Sequence, residues 1–545
     1  LATFREEQVE AIAVSLLHAY ANPAHERAVV AEIERLWPGV PVVASHAISG
    51  QWREFERTST TVLSAYVAPV ASSYVDRLAA GLAARGATCE PHIMLSNGGI
   101  ATASGARANP IAMVESGPAS GVLGGAALAQ VLGEPRVIVL DIGGTTAKCS
   151  LVVDGRPQVA TEYHIERTRT NPGYPIQTAV VDIVEIGNGG GSIAWRDAGG
   201  SLRVGPKSAG AVPGPAAYGR GGTSVTTTDA NLLLGRIEPA YFLGGEHPPD
   251  MKAVIAAATP LAEALGVTVA ELARGIVRIA NANMVNALKL ISINRGWDTR
   301  DFALVATGGG GAMHAVALAE ELRIPRVIVP IDAGVFSAWG MLMTDLRRDY
   351  VLTRVAALDA AAFAALAPAV GELRARAAAD YAHDGVRGAA PRFELYGDLR
   401  YAGQEHTVKV RLPDELLDGA GTDVAATIAS FHAAHERAYT YRLDAPVELV
   451  NLHLVAQVPV PRPELPEQTV TGRPWTDAVR QRRTVDFDAH GLLECPIVDR
   501  DRLEPGMRFA GPVVVAEPAT TTVVPPGHAV EVDRYGNLVI VLGAA

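Results

Sequence analysis

The sequence is poor in cysteine: only Cys89, Cys149 and Cys495 occur in 545 residues. They lie far apart and make neither a disulfide framework nor a CxxC zinc site, so a reducing compartment is the simplest reading. There is no basic excess. Lys and Arg number 47 against 58 Asp and Glu, a net charge of −11. A bulk electrostatic binder of DNA or RNA needs a basic face, so no nucleic-acid partner is expected. That balance suits a soluble, cytoplasmic protein. No convincing membrane span is present. Ser116–Gly133 carries five glycines and a proline and is shorter than the ~20 apolar residues a span needs. The start, LATFREEQVE, lacks the basic and apolar regions of a signal peptide. It also lacks an initiator Met and leads almost directly into helical periodicity, which suggests that the chain starts partway into a domain. No short repeat or low-complexity tail is visible. His92, His164, His406, His432 and His435 show no metal-ligand spacing, and no GxSxG or Cys/His nucleophile pair stands out.

Hydrophobic residues are 48% and charged residues 19%, enough to bury several cores. At roughly 100–200 residues per domain, three or four domains are expected. Val9, Ile12, Ala13, Leu16, Leu17 and Tyr20 recur at helical spacing and predict a helix ended by Asn22-Pro23. A second helix is expected over 24–37, a strand at Val40–Val43, and a helix over 66–83. Arg136–Asp141 is an unbroken apolar run closed by an acid and reads as a buried central strand. Gly143-Gly-Thr-Thr follows. Ala147–Val153 is a second strand, turned back at Asp154-Gly155. Residues 170–250 are rich in Gly, Pro and Thr and predict loops packed on a scaffold. Thr268-Val-Ala-Glu271 is a capping box that opens a long amphipathic helix. A strand at Phe302–Ala306, a loop at Gly308–Gly311, a helix at Ala312–Glu321 and a strand at Val327–Val329 come next. After residue 350 the texture turns to an alanine-rich helical stretch and then to short alternating runs.

Three constellations carry chemistry. In Asp141-Ile-Gly-Gly-Thr-Thr, glycines let backbone N–H groups approach an anion, threonines add donors, and the acid can hold a water or hydrated magnesium. The loop joins two strands, unlike a Walker loop, and Lys148 does not complete GxxxxGK[ST]. Strand–DxGGT–strand is the phosphate hairpin of the actin, sugar-kinase and heat-shock ATPase superfamily. An ordinary Gly-rich hairpin with an Asp bonding its own turn is the other reading. Thr307-Gly-Gly-Gly-Gly311, between a strand and a helix, suits contact with a ribose or phosphate. His314 just beyond reads as a helix-face residue. Asp182 and Glu185, before Gly187-Asn-Gly-Gly-Gly191, could hold a metal, or could stabilise a tight loop, which itself could lie over substrate. His432 and His435, on a helix with Phe431 and Tyr439, read as packing residues. The two Gly loops, each after an apolar strand, are expected to face one cleft.

Several strings together resemble one family. MLSNGGI, ESGPASGVLGGA, LDIGGTTAK, VDIVEIGNGGGSIA, VGPKSAGAVPGPAAYGRGG, TDANLLLGR and GGGGAMHA stand in the order seen in the A subunits of the hydantoinase/oxoprolinase family. The likeness continues through FHAAHERAYTYRLDAPVELVNL and GPVVVAEPATTTVVPPG. It implies an α/β fold: an actin/sugar-kinase-like (ASKHA) nucleotide-binding core over 86–350, the remainder of an N-terminal domain over 1–85, and a β-rich α+β region over 351–545. It implies ATP and Mg as cofactors, with phosphorylation of an amide or enolate oxygen followed by hydrolysis or carboxylation. On that reading Asp141 is the catalytic acid and holds Mg through water. Gly143, Gly144, Thr145, Thr146, Thr307, Gly308, Gly309, Gly310 and Gly311 contact the nucleotide. The substrate is a small cyclic amide, or a ketone if the chain is a carboxylase subunit. The partner is a B-type subunit, with homo-dimerisation inside a hetero-oligomer. Two departures stand out. The family opens with another DxGGTxTD-type segment that is absent here, and a chain truly lacking it would be a non-catalytic scaffold. The family's GGAGPLHA-like loop is GGGGAMHA in this chain.

Overall fold

The run Arg136–Ile142 (β1) is the strand around which the central sheet is built. Its residues Val137, Ile138, Val139 and Leu140 are fully buried, as a strand covered on both faces requires. The computed structural model describes residues 1–160, 163–166, 170–386, 390–418 and 424–543. The chain divides into two compact units that interleave along the sequence, rather than following three consecutive segments. One comprises 1–120, 159–181 and 344–462, and the other 121–158, 182–343 and 463–545.

In the second unit, β1 pairs antiparallel with β2 (Ala147–Val153), which pairs with β3 (Val184–Ile186). On its other side β1 pairs in parallel with β4 (Ala303–Thr307), and β4 in parallel with β5 (Arg326–Val329). Beyond β5 lie β8 (Leu538–Val541), β7 (Ala529–Val532) and β6 (Arg508–Ala510), all antiparallel to their neighbours. The expected C-terminal region is therefore not separate: its last strands extend this sheet. The same unit holds a four-stranded sheet of Val479–Asp486, Leu492–Asp499, Val513–Ala516 and Thr521–Val524 and a two-stranded sheet of Ser192–Arg196 and Leu202–Ser208.

Helices pack on the central sheet. Thr226 and Asp229 form a reciprocal capping box for α1 (Thr227–Leu233). Thr268 and Glu271 do the same for α2 (Val269–Ile291), whose face of Leu272, Ile276, Ala280, Met284 and Leu288 is buried. Each large aliphatic side chain so buried contributes on the order of 1.5–3 kcal/mol before conformational costs. By length and composition the stretch from Val269 to Arg295 could cross a membrane, but here its apolar face fills the core. The α3 helix (Gly308–Leu322) follows β4, and α4 (Phe336–Leu342) follows β5.

The first unit holds a six-stranded sheet in the order Val408–Arg411, Arg392–Tyr401, Val447–Val458, Leu346–Ala357, Ile100–Thr102, His92–Met94. The expected packing role of His432 and His435 is met here. His432 Nδ1 lies 2.7 Å from the Tyr401 hydroxyl, and His435 is buried among Tyr401, Phe431 and Tyr439. The helix expected over residues 9–20 does not form. Ile12–Val14 is instead a strand, paired in parallel with Val42–Ala44. The helix expected over 66–83 begins earlier and runs from Glu54 to Ala84.

Candidate functional site

The parallel register aligns Asp141 with Thr307 at the carboxyl ends of adjacent strands. The two Gly segments singled out in the sequence therefore lie side by side. After Asp141 and the buried Ile142, the chain reverses through Gly143–Thr146, closed by Gly143 N–H donating to Thr146 O at 3.0 Å. Gly143, Gly144 and Thr145 are exposed. Among the described residues, the N–H groups of Gly144 and Thr145 find no hydrogen-bond acceptor. Adjacent exposed amides without a protein acceptor can hold an anion.

The third Gly-rich segment, Gly187–Gly191, is packed on this hairpin. Gly190 N–H donates to Gly143 O at 3.0 Å and Gly191 N–H to Gly144 O at 2.6 Å. A Cβ at Gly189 would lie 2.6 Å from Gly143 O and 2.8 Å from the Thr145 nitrogen. The glycines allow this backbone-on-backbone approach, which holds the hairpin's shape without covering its exposed crown. Asp182 and Glu185 do not form a metal pair. Asp182 pairs with Arg295, and Glu185 lies 3.1 Å from Lys148 Nζ. Lys148 also donates to Thr146 Oγ1, so the acids serve the loops.

The expected loop at Gly308–Gly311 is the first turn of α3, and the helix starts at Gly308 rather than Ala312. Four glycines are poor helix formers, but tertiary packing overrides that preference. Gly308 has φ +77°, and a Cβ there would sit 2.2 Å from Asp141 Oδ1 and 2.5 Å from Ile142 O. Thr307 caps nothing: its Oγ1 donates to Leu140 O at 3.2 Å. The first-turn N–H groups therefore stay available at the positive end of the helix dipole. Thr520 Oγ1 donates to Gly309 O at 3.1 Å and fixes the turn from behind.

Asp141 is half-buried. Burial pushes its carboxyl above the usual carboxylate range, and Lys148 and a hydrogen bond from Ser337 partly offset this. Ser337 was not marked by any local sequence pattern. It arrives from α4, and a Cβ at Gly121 would lie 2.9 Å from its Oγ. Among the described residues no three His, Cys, Asp or Glu side chains cluster as a metal site. A cation at this hairpin would thus have Asp141 as its carboxylate and would depend on phosphate oxygens and water for the rest. That fits magnesium, which keeps several waters and takes one or two carboxylates. His314 is buried with Nδ1–H donating to Asn281 Oδ1 at 2.7 Å. Burial, with the Arg236 charge, takes it down to about 3, so it is a neutral structural group.

The family model described as Hydantoinase/oxoprolinase matches residues 57–350, and its C-terminal domain model matches 355–539. The caprolactamase alpha subunit of Pseudomonas jessenii is 37% identical over 537 residues, covering 97% of this chain and 76% of its own. The crystal structure of ATP-dependent caprolactamase from Pseudomonas jessenii superposes with a TM-score of 0.89 at 35% identity, over 99% of this chain and 78% of that one. A nucleotide-free acetone carboxylase structure superposes with a TM-score of 0.75 at 25% identity, over 99% of this chain and 77% of that one. The two family-model matches together span most of the chain, and the caprolactamase subunit is similar over 97% of it, so the chain belongs to the hydantoinase/oxoprolinase family.

Proposed function

We propose that this chain is the ATP-using subunit of an ATP-dependent cyclic-amide hydrolase. One observation carries the reading: the exposed crown of the β1–β2 hairpin and the first turn of α3 present unpaired backbone N–H groups side by side, around one half-buried carboxylate. The hairpin followed by parallel strands supports an actin/sugar-kinase-like core. ATP would supply a phosphoryl group that activates the amide oxygen toward later hydrolysis. The chain's own part is positioning and charge neutralisation, which phosphoryl transfer chiefly needs. Gly143–Thr146 would hold phosphate oxygens through N–H groups and hydroxyls, and Thr307–Gly311 would do so through the helix terminus. Asp141 would hold Mg through water, kept in place by Ser337. The hydrolytic step falls to a B-type partner subunit, in an assembly that also pairs two copies of this chain.

The caprolactamase relative favours a lactam over a ketone, because it is more alike in both sequence and fold than the acetone carboxylase. The test is phosphate release by the chain co-expressed with a B-type subunit, with caprolactam, 5-oxoproline, hydantoin, or acetone plus bicarbonate. Lactam-dependent release is expected. Carboxylation of the ketone would move the chain to the carboxylase class. Nucleotide binding without turnover on any substrate would make it a scaffold.

A further inference from the structure

A cavity of about 280 Å³ opens in the first unit, and all of its lining residues belong to that unit. The segment 46–51, which follows the strand Val42–Ala44, forms part of its wall. Residues 347–351 of the strand Leu346–Ala357 form another part. A cavity of about 150 Å³ holds benzene, so this one has room for a five- to seven-membered ring and some water.

The charges of the wall cancel. Arg347 holds Asp349 through two hydrogen bonds of 2.9 Å. Arg348 pairs with Asp384, and Arg376 lies 3.9 Å from Asp380. Asp349 also accepts from Asn97 Nδ2 at 2.6 Å. Each guanidinium group thus has its own carboxylate, and an ionic ligand would lose its water without gaining a free counter-ion.

The side-chain amides differ in one respect. Gln177 Nε2 donates to Trp52 O at 2.8 Å, and its Oε1 accepts from the Ser49 hydroxyl at 3.0 Å. Asn97 donates to Asp349 and accepts from the Gly99 N–H at 2.9 Å. Gln51 is only 3% exposed, yet its side-chain amide has no hydrogen-bond partner among the described residues. Neither its Oε1 nor its Nε2 is sealed away from solvent, so both can meet an occupant of the cavity that Gln51 lines. Its backbone is fixed: the N–H donates to Ser49 Oγ at 3.3 Å and the carbonyl accepts from the fully buried Arg57 at 3.3 Å. A buried amide with both arms idle departs from the rule that buried polar groups are paired.

We propose that this cavity binds a neutral cyclic amide and that Gln51 is its recognition residue. A primary amide carries a donor and an acceptor side by side. A small lactam ring forces its own amide cis, with N–H and C=O on one edge. The two edges pair reciprocally, and a ring turned over serves either orientation of the Gln51 amide. A ketone offers only the acceptor and leaves Gln51 Oε1 unpaired. This rests on the cyclic-amide reading above. It adds where the ring is held, by which side chain, and that a neutral ring is preferred to one bearing a carboxylate. Sites built to meet a ligand's N–H reject analogues that lack it far more strongly than apolar pockets reject a change of size.

The experiment is a saturation-transfer NMR titration of the full chain with caprolactam, cycloheptanone and 5-oxoproline. Cycloheptanone keeps the ring size and the carbonyl but has no N–H, and 5-oxoproline keeps the lactam but adds a carboxylate. Caprolactam is expected to bind at least about tenfold more tightly than either. Gln51→Met removes the amide at similar length and breaks no side-chain hydrogen bond of the folded chain. It should leave the melting temperature unchanged and weaken caprolactam to the level of cycloheptanone. Equal binding of caprolactam and cycloheptanone to the unaltered chain overturns the proposal without any variant. Parent-like caprolactam binding by a folded Gln51→Met chain overturns it as well, as does tighter binding of 5-oxoproline than of caprolactam. The cyclic-amide reading is judged separately, by lactam-dependent phosphate release from the complex with the B-type subunit. Release without caprolactam binding to this chain would overturn the cavity assignment and leave that reading standing.

Discussion

Replacing Gly308 with alanine puts a methyl group where the structure has no room. The built Cβ lies 2.2 Å from Asp141 Oδ1 and 2.5 Å from Ile142 O, and φ is +77°. Ile142 O belongs to a strand paired on both sides, so it cannot retreat cheaply. The Asp141 carboxylate must move first, away from Ser337 and from the position argued for magnesium. A left-handed backbone costs an L-residue about 1–2 kcal/mol, and forcing an extra methyl into closed packing adds about 1–3 kcal/mol. The sum, about 2–5 kcal/mol, corresponds to a fall of on the order of 5–10 °C in the transition of this unit. Scanning calorimetry would measure that fall, and nucleotide titration on the same sample should show binding weakened beyond the stability loss. A transition within about 1 °C of the parent, with unchanged ATP affinity, would show that Gly308 and Asp141 are not juxtaposed.

Gly144→Ala is the counterpart: a Cβ there meets nothing within 4 Å, so stability should shift by no more than about 0.5 kcal/mol. Its methyl would enter the space argued for phosphate, and ATP affinity should fall at least tenfold by titration. Asp141→Asn should keep the fold and lower Mg-ATP turnover in the complete complex by about 10² or more, the scale of losing several kcal/mol of charge stabilisation. Unchanged kcat would remove Asp141 from the mechanism. Glu517 is taken up to about 7, chiefly by burial, from an ordinary 4.5. The folded state thus binds a proton that the unfolded chain has released between those values, and this contribution to stability is present below pH 4.5 and lost as pH rises to 7. Urea unfolding of the parent should weaken across that window by up to about 3 kcal/mol, and Glu517→Gln should flatten the slope. An identical slope in the variant would refute the assignment.

The hairpin around Asp141 was legible because three local signals coincide: an apolar run, glycines and a second apolar run. The side-by-side placement of Thr307 followed from the rule that parallel strands carry sites at their carboxyl ends. The first residues misled for a physical reason. Ile12, Ala13 and Leu16 fit a helical period, but Ile12–Val14 finds a parallel partner in Val42–Ala44, a long-range gain that local spacing does not contain. The start of α3 is not legible locally: four glycines favour a loop on propensity alone, whereas close packing against Asp141 and Ala519 fixes the turn. Ser337 left no pattern at all. Its relevance is set by what lies across space, the Asp141 carboxylate.

The antiparallel seam between β8 and β5 has a consequence for how the protein is made. Arg326–Val329 pairs with Leu538–Val541, residues more than two hundred positions later in the chain. On the ribosome, β1, β2, β4 and β5 emerge before β8 exists, so the edge of β5 stands open while the intervening residues are made. Exposed apolar edges of that kind invite pairing with other nascent chains. The polypeptide should therefore need shielding until β8 leaves the exit tunnel, and its yield should respond to chaperone supply and to translation speed over the stretch between β5 and β8.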